Sequence, residues 1–312
     1  MRQAERGFTL VELMISLVMF SFAIAGVLSV AVSMAQGARE QRQAIGTADA
    51  ARATLDFIAD AIRSTSPAVP SGAIEDLASC KTSAFAVVNS TTGPDQLDLV
   101  FASGGVVTAT TASFPAYNAG TITVVDASQI AVGDGLIVTD GTTGHLLVVT
   151  AINATTLSYM AAACIPTTFP VGGYPAGSLV IRGLRARFSV GTFDGIANIL
   201  LMDPDADGPA AAVPLAENID DFQVAIGMDL DANGSVGPTE WQYAPGFVGP
   251  AVPAIRAIRI SVVARTAMPL MGRTAVFVRP AAEDHPAAVA ADNYPRRLLT
   301  STVEIRNLGG SP

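Results

Sequence analysis

From Phe8 to Met34 the chain runs 27 residues with a single charge, Glu12, and nothing downstream approaches that apolar length. A helix needs about 20 residues to cross the hydrocarbon core of a bilayer, so this segment can span one. An element that is apolar all round must lie in lipid or among other helices, which fixes the frame for everything that follows. A secretory signal has an apolar core of only about 7–15 residues and a small-residue cleavage site beyond it, and the run from Phe8 overshoots that. A plain anchor fits the length but gives no reason for a carboxylate in its first turn. Such a group is costly inside a membrane unless something partners it. Arg2 and Arg6 precede the run, which by the positive-inside tendency keeps residues 1–7 cytoplasmic and sends the rest across.

The helical pattern continues past the apolar stretch. Ala44, Ala48, Ala51, Leu55, Ile58 and Ile62 recur at steps of three and four, while Arg39, Glu40, Arg42, Gln43, Asp49, Asp56 and Asp60 take the other face. One helix over residues 8–66 is expected, apolar in its first half (8–34) and amphipathic in its second. Pro67 closes it, because the residue before a proline is driven out of the helical region. No proline interrupts the apolar half; Gly26 is its one glycine and weakens the helix slightly.

Beyond residue 67 the pattern turns β-like. Short β-branched runs (Leu97–Phe101, Thr121–Val125, Leu146–Ile152, Ser178–Arg182, Ala186–Val190, Asn198–Met202, Phe222–Met228, Ile255–Val263, Thr302–Arg306) alternate with clusters of Gly, Asn, Asp and Thr. In Phe222–Met228 the apolar residues alternate, as in a half-buried antiparallel strand. The expected class is therefore α+β: a long N-terminal helix whose amphipathic half packs on a β-rich antiparallel head, residues 67–312. The whole chain, 312 residues, carries a soft prior of about two domains. A net charge of −9 with no basic run after residue 7 argues against nucleic-acid binding, which depends on Lys and Arg facing phosphates. The two cysteines, Cys80 and Cys164, fall on the non-cytoplasmic side, where a disulfide is favoured over two buried thiols.

One segment has metal-ligating spacing. Asp229, Asp231, Asn233, Gly234 and Glu240 follow D-x-[DN]-x-[DN]-G-x5-E, with Ser235 offering a backbone carbonyl, so calcium is the candidate ion. A strand before the loop and Pro238 within it depart from a helix–loop–helix, and an Asp/Asn/Gly-rich turn explains the same residues without an ion. Asp203, Asp205, Asp207 and Gly208 echo the pattern, but Pro214 stands where the closing ligand belongs. No cofactor is required. His145 and His285 stand in loop-like contexts, no catalytic motif occurs, and an enzyme is not expected. Trp241, the only tryptophan, is expected to pack rather than to bind.

The residues Arg6-Gly7-Phe8-Thr9-Leu10-Val11-Glu12 resemble the leader junction of type IV prepilins. The resemblance implies cleavage between Gly7 and Phe8 by a prepilin peptidase and N-methylation of Phe8. It also implies neutralisation of Glu12 by the amino terminus of a neighbouring subunit. Looser similarities run through Val132–Val138 with Gly144–Ile152, Glu217–Val224 with Gly227–Gly234, and Arg296–Leu308. They resemble PilW-type minor pilins, with the J-type pseudopilin of type II secretion as near neighbour. The implied function is that of a structural minor pilin in priming of assembly or at the pilus tip. Its implied partners are other pilins, through the N-terminal helix, and an inner-membrane assembly platform. The head would be periplasmic before assembly and on the surface pilus after it; a calcium-dependent tip adhesin is the competing class.

Overall fold

The computed structural model describes residues 9–160, 162, 164–206, 211–231, 233–243, 247–248, 255–270, 274 and 276–305. The chain separates into two compact units, Met1–Gly46 and Thr47–Pro312. In the first, α1 (Leu10–Arg63) begins, and every side chain from Leu10 to Met34 is exposed. An 18-residue window of this helix reaches a mean hydropathy of 2.4, long and apolar enough to cross a membrane.

In the second unit α1 buries Ala48, Ala51, Thr54, Leu55, Ile58, Ala59, Ala61 and Ile62. Five of the six positions picked out by helical spacing are among these; Ala44 is exposed. Ala51, Leu55, Ile58 and Ile62 share the main core with Phe85, Leu97, Leu99, Phe188, Phe222 and Ile260. Phe57 adds an edge-to-face contact with Phe188 at 6.2 Å between centroids. Each Ile or Leu buried this way is worth about 1.5–3 kcal/mol. The helix stops at Arg63, before Pro67, because the Ser64 carbonyl accepts the Ala102 amide and Thr65 bridges to Phe101. Those bonds turn the chain into the head.

The strands of the head are β1 (Ile74–Asp76), β2 (Phe85–Val88), β3 (Gln96–Ala109), β4 (Thr121–Thr123), β5 (Gly135–Thr139), β6 (Gly144–Asn153), β7 (Thr156–Tyr159), β8 (Leu179–Phe193), β9 (Ile196–Asp203), β10 (Val213–Ala216), β11 (Ile219–Met228), β12 (Trp241–Gln242), β13 (Phe247–Val248), β14 (Ile255–Arg265) and β15 (Arg296–Glu304). Eleven form one sheet around β8, which pairs with β3 along one edge and with β5 and then β9 along the other. The remaining four form a second sheet in the order β12-β11-β14-β15. Among the described residues every strand pairing is antiparallel except β1 with β6. The two runs expected at 178–182 and 186–190 are one continuous strand, since Gly183 between them stays in register with Ala102 of β3. The last strand begins at Arg296 rather than Thr302; Arg306 lies outside the described residues.

The half-buried pattern expected of Phe222–Met228 does not hold: from Asp221 to Gly227 every residue of β11 is buried. Phe222, Val224 and Ile226 face the α1 core, while the polar side is closed by the segment around Arg279 and His285. Arg279 Nη1 donates to Asp221 Oδ2 at 2.8 Å, and Gln223 Nε2 donates to Asp221 Oδ1 and to the Gly93 carbonyl, each at 2.9 Å. Polar residues on a strand read as solvent-facing, but a second polar layer can cover them once their bonds are satisfied.

Candidate functional site

Three groups of residues singled out by the sequence can be placed. At the start of α1, Gly7 and Phe8 lie outside the described residues, while Glu12 is described and partnered within its own chain. Its Oε2 accepts the Thr9 amide at 3.0 Å and the Thr9 hydroxyl at 3.1 Å, and Thr9 Oγ1 accepts the Glu12 amide at 3.3 Å. That is a reciprocal capping box, which satisfies two helix-start amides and holds the carboxylate at the mouth of the helix. Sequence reasoning passed over Thr9, although the T-x-x-E spacing that signals such a box was present. Ser16 and Ser21 fold their hydroxyls back onto the carbonyls of Glu12 and Leu17, so the polar groups of this stretch are bonded within the helix.

The acidic loop joins β11 to β12. The structure brings Asp229, Asp231 and Glu240 together, with one oxygen of each within 4.8 Å of the others. Most of these oxygens already accept from the loop itself. Asp229 takes the amides of Asn233 and Gly234 at 2.9 Å each, and Glu240 takes those of Leu230, Asp231 and Gly237 at 2.7, 3.2 and 2.6 Å. Asn233 Oδ1 accepts both the amide and the hydroxyl of Ser235. Gly234 stands at φ +86°, the left-handed conformation this turn requires. Arg256 closes the arrangement, its guanidinium 3.3 Å from Asp229 Oδ2. The amides of Gly237, Leu230 and Asp231 hold the Glu240 carboxyl below the usual range. The loop is therefore organised by its own amides and one guanidinium, which hold the three carboxylates together. In the partial echo, Asp203 is buried at the end of β9 and Asp207 and Gly208 lie outside the described residues.

Cys80 and Cys164 are joined, Cα to Cα 5.8 Å, across 84 positions of sequence. The bridge fastens the segment after Cys164, which Glu75 also holds by accepting the amides of Thr167 and Thr168. Against that segment His145, fully buried, shares a hydrogen bond of 2.6 Å with the Tyr174 hydroxyl. His285 bonds Asp221 Oδ2 at 2.8 Å. Both histidines, expected in loops, are thus buried: His145 because β6 begins one residue before it, His285 because its loop caps β11.

With this geometry in view, residues 2–28 match the family model described as Prokaryotic N-terminal methylation motif. Residues 187–307, from β8 to past β15, match the one described as Type IV Pilus-assembly protein W. The chain is type IV pilin-like, with a methylation motif on its apolar helix. The part of its head from β8 onward is similar to type IV pilus-assembly protein W, a family of minor pilins. No curated protein matches it. Among solved structures, the type IV-like pilin TTHA1219 from Thermus thermophilus is similar over 84% of this chain and 97% of that one, at 12% identity and a TM-score of 0.41.

Proposed function

We propose that the protein is a minor pilin made as a single-pass inner-membrane precursor with its head in the periplasm. A prepilin peptidase removes residues 1–7 and methylates Phe8. The apolar half of α1 then leaves lipid for a bundle of the same helices from other pilins, drawn in by the assembly platform. The observation that supports this is the exposed apolar run with one carboxylate in its first turn, inside the methylation motif. Thr9 and Glu12 cap the helix before assembly, and an incoming amino terminus exchanges for those donors on Glu12.

The PilW match supports a low-copy role in priming assembly or at the tip. The test is deletion of the gene, complemented with the natural chain or with Glu12→Val. Loss of surface filaments that only the natural chain restores is the expected result. Normal filaments with lost attachment assign the head to recognition instead. Intact pili with failed enzyme secretion assign the chain to a type II pseudopilus. High-copy spacing of the protein along the shaft would rule out the tip.

A further inference from the structure

The face of the four-stranded sheet opposite the α1 core carries a depression that none of the roles above uses. Register sets Gly227 between Trp241 of β12 and Ala257 of β14, and Ala257 opposite Glu304 of β15. Two small residues in the middle make a floor, and the strands outside them supply the walls. A Cβ on Gly227 would stand 2.9 Å from Val236 and 3.1 Å from Trp241, so glycine is what admits the indole here. The resulting cavity, about 450 Å³, is walled by Trp241 on one side and by Thr302 and Glu304 on the other, with Ser235 and Arg256 lining it from the acidic loop and β14. That volume lies in the range of small-molecule sites, on the order of 300–1,000 Å³.

The polar groups are placed for use. Among the described residues the side chains of Thr302 and Glu304 have no hydrogen-bond or ion-pair partner, and the Arg259 guanidinium lies 4.1 Å from the ring centre of Trp241. Arg256 is oriented by Asp229, which gives the acidic loop a purpose in shaping this cavity. Charge narrows the class of ligand. Glu304 opposes an anion, and the guanidinia of Arg256 and Arg259 oppose a cation. What the set suits is an uncharged molecule rich in hydroxyls. A carboxylate and a hydroxyl bond such a ring at its edge, and an indole supplies apolar surface. The geometry points to a saccharide-binding site, one pyranose ring held between Trp241 and Glu304 with Thr302 and Arg256 as further partners.

Because Trp241 is the only tryptophan, the emission of the full chain in detergent reports this cavity alone. The probes are the methyl glycosides of glucose, galactose and N-acetylglucosamine. The site predicts a saturable change with at least one of them, weakened about tenfold or more by Glu304→Gln, the worth of one charge-assisted hydrogen bond, and also weakened by Thr302→Val. Neither side chain is bonded within the head, so both variants are expected to melt with the natural chain. An absent response to all three glycosides, or equal affinity in natural chain and both variants, overturns the site.

Discussion

Asp95 is fully buried just before β3, where its two oxygens accept the amides of Ser90 and Val224 at 2.7 and 2.8 Å. Burial, reinforced by Asp284 and Asp221, pushes its carboxyl up to about 7 in spite of those bonds. His145 is displaced the other way: burial pushes its imidazole down to about 4, against the pull of Glu75. The two shifts act oppositely on stability. Unfolded, an Asp titrates near 3.9 and a His near 6.5. Between about pH 4 and 7 the folded chain keeps a proton on Asp95 that the unfolded chain has lost, so stability falls as pH rises. Between about pH 4 and 6.5 the unfolded chain binds a proton that folded His145 refuses, so stability rises. These contributions offset in the natural chain and separate in variants. Denaturant midpoints at about pH 4.5 and 6.5 should rise with pH in Asp95→Asn and fall in His145→Gln relative to the natural chain; equal slopes in all three would refute the assignment. Glu240→Ala should lower the melting temperature and speed proteolysis of the 229–240 loop in calcium-free buffer, since three amides lose their acceptor. A loss seen only when calcium is present would assign the carboxylate to an ion. The convergence of Asp229, Asp231 and Glu240 was readable from spacing. The amides and Arg256 that engage them were not, because a motif records ligand spacing and says nothing of competing donors.

At the scale of elements, helix periodicity located the buried face of α1 because a helix against a core repeats its contacts every three to four residues. Ile58, with no exposed surface, is the position where that face should be least forgiving. Ile58→Ala is expected to cost about 2–5 kcal/mol in chemical denaturation, whereas Ala44→Ser, exposed and outside the core, should change little. Equal effects would mean that the helix does not pack as described. The strands were harder to read. β1, β2, β7 and β10 are three or four residues long, too short for alternation to stand out, and β11 presents polar residues to a buried layer. The disulfide belongs to this scale because it closes a long loop. Replacing both Cys80 and Cys164 with Ser should lower stability by about 2–4 kcal/mol. A double variant as stable as the natural chain would leave the bridge no constraining role.

The molecule as a whole joins a helix apolar on every side to a head with its own core, and each half needs a different environment. That division was legible from hydropathy alone, because lipid and water leave different compositions behind. The proposed processing rests on the short junction Gly7-Phe8-Thr9 and the methylation motif around it. The fold of the head leaves it unstated, since many sequences build a β-rich domain of this size. An apolar run of this length that stays exposed calls for lipid or other helices around it, and under the proposed function Glu12 would take the amino terminus of a neighbouring subunit. Mass spectrometry of sheared, purified surface pili addresses this most directly. The account predicts an N-terminal peptide that begins at N-methylated Phe8, present at low abundance beside the major subunit. Recovery of the chain only from the envelope, or with an uncut Met1, would contradict it.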